Sequence, residues 1–428
     1  MILNLFGWVA AEKRAPKQDF PLPEKQRGMP KRYVPNNDHY TITKKVSQQI
    51  FDKTTSTPHS CEENNESILM KLEFWFWKTA LMLAASFMVA GCSKKVWYKG
   101  NTHAHTVLCG HADTSPEGVT KWYHDQGYNF LVLSEHNQFI DPQTVKMPTN
   151  MREDFILIPG EEVTGGLMAH TTALNIDGLV DPRLQQPPGA SKTQVIQAHV
   201  HGAKQQNGYT ILNHPNFHYM HTISDIRPVE GLHLFELYNG HPSVNNFGDD
   251  EHISVEELWD ELLTDGMLIY GVSSDDAHHF QDLSLERSNP GRGWVMVRAN
   301  ELKADAIADA ILRGDFYATS GVILKEADID GQRISLRVDE RETERELSSS
   351  FVVGHIVDRG EAGYLIEFIG PGGEVLESSR GLQASFEVTS THSYVRAKVT
   401  MIRKTPQGLE NFYAWMQPVF IDVRKHGL

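Results

Sequence analysis

The sequence predicts an α/β chain, a parallel barrel of repeated strand and helix units followed by a small all-β segment. Between Trp97 and Gly314, short apolar runs alternate with helical patterns about seven times, the order that builds a parallel sheet covered by helices. Histidines and acids recur at one offset in that repeat, just past the carboxyl end of each predicted strand. Beyond Val322 the apolar period shortens to two, as in strands with one buried face.

With 428 residues, 40% apolar and 22% charged, the chain can bury a sizeable core in two domains and is not a disordered protein. Its formal charge of −15, without any Lys/Arg run, opposes a phosphate backbone. No nucleic-acid partner is expected, and a small molecule is. Cys61, Cys92 and Cys109 cannot make a disulfide framework, and their spacing matches no zinc ribbon.

Residues 1–69 are polar, carry several prolines and show no apolar period, so no fold is assigned to them. From Met70 to Cys92, Lys71 and Lys78 precede an apolar core from Thr79 to Ala90 that is short for a bilayer span and reads as a secretory signal. Its end, Val89-Ala90-Gly91-Cys92, resembles a bacterial lipobox, whose cysteine is lipidated and becomes the new N-terminus. The expectation is an exported lipoprotein anchored through Cys92 on the periplasmic or cell-surface side, with Met70 as the true start and residues 1–69 an irregular extension. A buried helix ending in Gly-Cys is the alternative, opposed by the abrupt switch to Ser93-Lys94-Lys95. A cytoplasmic tail before an uncleaved anchor is another.

Trp97 to Thr102 is the first predicted strand. Alternate side chains share a face of a strand, so His103 and His105 in NTHAHTVLCGHAD (101–113) point the same way and can grip one metal ion. His111 brings a third imidazole close in sequence; three exposed loop histidines are the bland alternative. Ser115 caps a helix with Pro116 in its first turn, and Gly127 stops it. Phe130 to Leu133 leads into Ser134-Glu135-His136-Asn137, and Phe155 to Ile158 into Pro159-Gly160-Glu161-Glu162. His170 stands at the entrance of a strand reaching Ile176.

A helix from Lys192 to Asn207, closed by Gly208, precedes the strand Tyr209 to Leu212 and then Asn213-His214-Pro215. Leu232 to Tyr238 is a strand ending at Asn239-Gly240. Ser254 caps a helix through Asp265, and Leu268 to Val272 leads into Ser273-Ser274-Asp275-Asp276-Ala277-His278. A last unit joins Trp294 to Val297 with a helix ending near Arg313-Gly314.

In a (β/α) barrel the carboxyl ends of the strands share the face that carries chemistry. His103, His105, His136, Glu162, His214, Asp276 and His278 would all converge there. His199 and His201, two apart in a predicted helix, point in different directions and are expected at the surface. His218 and His241 lie in loops that could border the pocket, while His221 and His233 have no spacing that singles them out. Cys109 is expected to line the site as a small apolar residue. Asp328-Ile329-Asp330-Gly331 resembles the start of a calcium loop, but its glycine comes too early, and an Asp-Gly hairpin turn is expected instead.

Residues 97 to about 320 resemble the PHP (polymerase and histidinol phosphatase) domain superfamily. The stretches PGEEVTGG (159–166), FELYNG (235–240), GVSSDDAHH (271–279) and GDFYATSG (314–321) resemble its CehA/McbA-type metallohydrolase branch. The resemblance implies a distorted seven-stranded (β/α) barrel over residues 93–321, with two or three divalent ions (zinc, manganese or iron) at the carboxyl face of the strands. It implies His103, His105 and Asp276 as ligands of a first ion and Glu162 as the bridge to a second held with His170 and His214. His111, His136 and His278 would hold a third. Many members carry an acidic element after His-x-His, where this chain reads Cys109-Gly110-His111-Ala112-Asp113, so Asp113 could take the place of His111. The family's Gly-x-Glu and Asp-x-His spacings select Glu162 over Glu161 and Asp276 over Asp275.

The implied chemistry is hydrolysis by a metal-bound hydroxide, with no side-chain nucleophile. Seven imidazoles against two carboxylates leave such a centre positive, which favours an anionic ester and in particular a phosphoester. Arg287 and Arg292, in LERSNPGRGW (285–294), are candidates to clamp a phosphate, and His218 and His241 to transfer a proton. The same metals would also serve a neutral carbamate, ester or amide, and a non-catalytic lipoprotein that captures metal or ligand is a third alternative.

Over residues 322–428, Ile334, Leu336 and Val338 alternate with polar residues, as do Val395, Ala397 and Val399, and Gly370-Pro371-Gly372-Gly373 marks a turn. A small β-sandwich is expected. Tyr413 and Trp415 serve equally well there as core, interdomain or ligand contacts.

Overall fold

A computed structural model describes residues 95–181, 188–406 and 408–421, all within one compact unit. The irregular extension, the signal-like segment and Cys92 lie outside the described residues. Among the described residues no helix is long and apolar enough to cross a membrane.

The first three strands, β1 (Val96–Ala104), β2 (Phe130–Leu133) and β3 (Ile156–Ile158), pair in parallel. Unbroken apolar runs such as Phe-Leu-Val-Leu suit strands covered on both faces. Between β1 and β2 runs α1 (Pro116–Asp125), begun by Ser115, whose hydroxyl accepts from the Gly118 amide at 3.3 Å. A Cβ at Gly100 would stand 2.1 Å from the Phe130 ring, so only glycine lets β1 pass that side chain.

The order then departs from the expected repeat. Glu161 and Glu162, expected in a loop, lie inside β4 (Gly160–Thr164), which forms an antiparallel hairpin with β5 (His170–Leu174). The connection between them, residues 165–169, is far shorter than the dozen or so residues a parallel crossover needs, so β5 has to run back. After α2 (Lys192–Gln205), β6 (Tyr209–Leu212) pairs antiparallel with β5. With α3 (Ile223–Ile226), β7 (Leu234–Asn239), α4 (Val255–Thr264) and β8 (Tyr270–Ser274), the parallel pattern resumes. β9 (Trp294–Ala299) lies antiparallel to β1, and after α5 (Ala304–Leu312), β10 (Phe316–Thr319) lies antiparallel to β9.

The expected closed parallel barrel is therefore corrected to two sheets that no continuous ladder closes: β4 to β8 in one, and β10, β9, β1, β2 and β3 consecutively in the other. Pro159, the one residue between β3 and β4, has no N–H to offer a ladder at the point where the sheets part. Two isolated parallel bridges span the gap, Ala104 with Ala277 and His136 with Glu162. Both sit at the ends of strands where histidines and acids gather. Beneath them Phe130, Val132, Ile158, Leu174, Ile211, Leu234, Val272 and Val295, drawn from both sheets, form one buried apolar cluster.

The remaining elements are β11 (Leu324–Asp330), β12 (Arg333–Val338), α6 (Glu340–Leu347), β13 (His355–Val357), β14 (Gly363–Ile369), β15 (Val375–Arg380), β16 (Gln383–Glu387), β17 (Tyr394–Thr405), β18 (Gly408–Met416) and β19 (Val419–Phe420). β11, β12 and β16 make a three-stranded sheet, while β18 pairs with β10 and so carries β13, β14, β15, β17 and β19 onto the larger sheet. Ile334, Leu336 and Val338 share a buried cluster with Ile366, Phe368, Val395, Ala397 and Val399, two sheets face to face. Gly331, at φ +59°, makes the expected Asp-Gly turn between β11 and β12.

Candidate metal centre

Strand alternation brings His103, inside β1, and His105, just past its end, to one side, and both are fully buried. Nδ1 of His103 lies 2.8 Å from Glu236 Oε1. A proton held on that bond leaves Nε2 facing inward, 3.1 Å from His105 Nε2, 3.3 Å from Asp276 Oδ1 and 3.5 Å from Glu162 Oε1. A carboxylate behind a histidine is the arrangement that fixes the tautomer of a metal ligand. Asp276 is held in place by its own amide, which donates to the His103 carbonyl at 3.0 Å, and takes a left-handed φ of +50°.

Glu162 stands at the middle of the group. Its Oε1 lies 3.1 Å from His170 Nδ1 and 3.3 Å from His214 Nε2, and accepts from Asn213 Nδ2 at 3.0 Å. Its Oε2 lies 2.7 Å from His136 Nδ1 and 3.5 Å from His105 Nε2. His214, at φ +26°, donates its amide to Glu236 Oε2 at 2.7 Å, so Glu236 positions two imidazoles from two different strand ends. Beyond His136, the exposed His111 stacks on His278 with ring centroids 4.5 Å apart. His278 has Nδ1 2.9 Å from the Asp276 carbonyl, while its Nε2 is buried without a partner.

The donor atoms of three triads each lie within 4.8 Å of one another: His103, His105 and Asp276; Glu162, His170 and His214; His111, His136 and His278. These coincide with the ligand sets that the family resemblance implies. His105, His136 and Glu162 also form such a group, as do His105, Cys109 and His278.

Burial pushes His105 down to about 4, and burial together with the nearby His105 pushes His278 down to about 2, so both are neutral at neutral pH. Burial opposes charge on Glu162 and Asp276 too, yet His103 and its neighbours outweigh it and hold both carboxyls well below their ordinary value. The carboxylates in turn raise His103, His136 and His214 against burial, so an ion entering there would displace protons from these rings; neutral imidazoles and ionised carboxylates are the forms that bind a divalent ion. Nε2 of His278 is buried with no hydrogen-bond partner, and His103 Nε2 and His105 Nε2 lie 3.1 Å apart beside Asp276; ring nitrogens and carboxylates gathered this closely suit a cation. The residues present fit a metal.

The one-residue ambiguities resolve by direction. Glu161 points to the opposite face of β4, accepts from the Val180 amide, and is raised to about 7 by burial. Asp275 accepts the amides of Gly291, Arg292 and Gly293 at 2.9, 2.7 and 2.7 Å and the Tyr123 hydroxyl at 2.9 Å. It fastens the loop before β9, while Asp276 joins the donors. Asp113 accepts the amides of Phe280 and Gln281 at 2.9 and 3.1 Å, a loop tie outside the triads.

His199 corrects the expectation of a surface residue: it is fully buried, with Nδ1 3.1 Å from Thr171 Oγ1. It falls on the face of α2 that buries Val195 and Ile196, whereas His201 is exposed. His241 is half-buried with its ring 6.1 Å from that of His278, and His218 is exposed against Phe217. Arg292 is buried, and its guanidinium donates to the carbonyls of Gly240 and Ser284 at 3.2 and 2.8 Å and to Asn289 Oδ1 at 3.0 Å. Protein acceptors thus occupy both of its terminal nitrogens. Arg287 is exposed and pairs with Asp282 at 2.8 Å.

Sequence reasoning missed Glu236, Asn213 and Asn239. The signal for Glu236 was a lone acid inside the otherwise buried strand Leu-Phe-Glu-Leu-Tyr-Asn; Asn239 donates to it at 2.8 Å.

Fold and donors together define a mixed α/β protein with a candidate metal centre. No family model matches the chain, and no curated protein matches its sequence. Among solved structures it is similar to a two-domain protein from Bacteroides vulgatus, described as containing a predicted PHP-like metal-dependent phosphoesterase. The identity is 14% and the TM-score 0.39, over 76% of this chain and 95% of that one. A protein from Bifidobacterium adolescentis, described as a candidate metal-dependent phosphoesterase, is similar at 13% identity and TM-score 0.30, over 44% of this chain and 89% of that one. At this distance the likeness carries no functional argument, and the chemistry rests on the side chains themselves.

Proposed function

We propose that the protein is a metal-dependent hydrolase of PHP type that cleaves phosphoesters. The observation that carries this is the donor ratio, seven imidazoles converging with only two carboxylates, Glu162 and Asp276. Divalent ions bound there acidify water to near neutrality, polarise the bond under attack, and exceed the charge of those carboxylates, which favours an anionic substrate. Zinc, manganese and iron all suit an imidazole-rich set.

Each residue then has a task. His103, His105 and Asp276 hold one ion, His170 and His214 with Glu162 a second, and His111, His136 and His278 a third. Glu236 keeps the Nε2 lone pair of His103 turned inward, and Asn213 fixes Glu162. His241, whose ring centroid lies 6.1 Å from that of His278, is our candidate for proton transfer with the leaving group. The lipobox-like end at Cys92 supports an exported, lipid-anchored protein.

The test strips the protein with a chelator, restores zinc, manganese or iron singly, and compares an anionic aryl phosphoester with a neutral aryl carbamate. Chelator-sensitive hydrolysis that is faster on the phosphoester is expected. Faster carbamate cleavage would overturn the phosphoesterase assignment, and binding of metal with cleavage of neither would leave a metal-capturing protein.

A further inference from the structure

We propose that the substrate is amphiphilic, a phosphate ester whose alkyl or aryl group lies across an apolar rim at the open side of the metal centre. The proposal rests on the phosphoesterase assignment and narrows its substrate class.

The centre is open on one side. His103 and His105 are fully buried, whereas the His136 side chain is 26% exposed and His111 is exposed. Solvent reaches the donors most fully at His111 and His136. Two short loops flank this opening. One lies between His105 and His111 and presents Val107 and Leu108, 44% and 47% exposed, from a turn that buries nothing. The other leads into His170 and presents Leu167 and Met168, 48% and 43% exposed.

The run His136-Asn137-Gln138 seams the two loops together. Gln138 Nε2 donates to the Leu108 carbonyl at 3.1 Å; Asn137 exchanges two hydrogen bonds with Thr164, each 3.1 Å; His136 Nδ1 lies 3.0 Å from Thr164 Oγ1. His136, partly exposed, thus lies on the seam between the loop that presents Val107 and Leu108 and the loop that presents Leu167 and Met168.

Single exposed apolar residues are ordinary. Here, however, Leu167 and Met168 stand consecutively at φ +59° and +58°, a left-handed conformation unfavourable to any residue with a Cβ. That strain is not offset by burying either side chain. Strain of this kind gathers at ligand clamps. An apolar group on the substrate would cover these chains while its phosphate meets the cationic centre, so one molecule satisfies both surfaces.

The test uses the intact metal-loaded protein and 4-nitrophenyl alkyl phosphodiesters with methyl, butyl and octyl chains, each below its micelle concentration. The leaving group stays constant, so only the apolar contact changes. At about 0.8 kcal/mol per buried methylene, kcat/KM should rise about threefold to fourfold per methylene over the first few carbons, until the chain outruns the rim. Leu108→Ser and Leu167→Ser should each lower the octyl-to-methyl ratio by about tenfold. Cleavage at a rate independent of chain length, or a ratio that both variants leave unchanged, would overturn the amphiphile and leave the phosphoesterase standing. Failure to cleave any diester or phosphomonoester would remove both.

Discussion

Two buried clusters of charged side chains lie in this molecule and follow opposite rules. Around Arg396, positive meets negative: its guanidinium grips Asp260 with two bonds of 2.7 and 2.6 Å and reaches Glu256 at 2.9 Å, and Lys398 meets Glu256 at 2.7 Å. Tyr394 adds a hydrogen bond to Asp260 at 2.9 Å. Arg396 Nη1 lacks a partner, but the guanidinium lies over the Trp259 ring at 5.0 Å. Around Glu162, ring nitrogens crowd together, with His103 Nε2 only 3.1 Å from His105 Nε2, and Nε2 of His278 is buried without a hydrogen-bond partner. The first cluster balances charge with charge and fastens α4 to β17. The second is complete only with a cation inside it.

The largest expected effect comes from opening the second cluster. His103→Ala or Asp276→Ala should lower hydrolysis by roughly a thousandfold or more and reduce bound metal in elemental analysis, with the circular dichroism of the fold retained. A chelator should lower the melting temperature of the native protein more than that of either variant. Full turnover in either variant would break the contrast. Next comes Asp260→Ala, which removes the bidentate partner of buried Arg396 and leaves it Glu256 alone; it should cost about 3 kcal/mol by denaturant titration, with kcat/KM per folded molecule unchanged. A loss below about 1 kcal/mol would mean that the first cluster is not the fastener described.

The smallest effect is in acid. Burial alone would raise the Glu256 pKa, but Lys398 and Arg396 outweigh it and hold it at about 2, against an ordinary 4.5. A carboxyl depressed in the folded state contributes stability that is fully present above pH 4.5 and is lost as pH falls toward 2. On the order of 2 kcal/mol should disappear across that window, and Glu256→Gln should show a flatter acid limb. Equal acid limbs would show that this ion pair does not couple to folding.

The residues that converge were legible because each sits beside a local signal. His103 and His105 follow an apolar run at the spacing of a strand face, and Ser115, Gly127 and Ser254 punctuate helices by their own backbone chemistry. Closure of the sheet was not legible, since it depends on how short residues 165–169 are and on Pro159, details that apolar periodicity does not register. Glu236 was passed over because a lone acid in an apolar strand has no partner in its own neighbourhood; its partners come from β1 and from the end of β6. His199 departs from its expected surface position for a related reason: its register with Val195 and Ile196, and not its spacing from His201, sets the face of α2 on which it falls. Arg292 looked free in a glycine-rich loop, but its acceptors are carbonyls brought there by folding.

The pairing of β10 with both β9 and β18 also has a practical side. A strand flanked on both sides has no exposed row of amides and carbonyls, and here one flank is supplied by residues that arrive nearly a hundred positions later. A recombinant fragment stopped after Gly321 would keep every candidate ligand, yet leave one flank of β10 bare and inviting to another chain. Aggregation during expression is the failure to anticipate for such a fragment, and keeping β17 and β18 is the remedy.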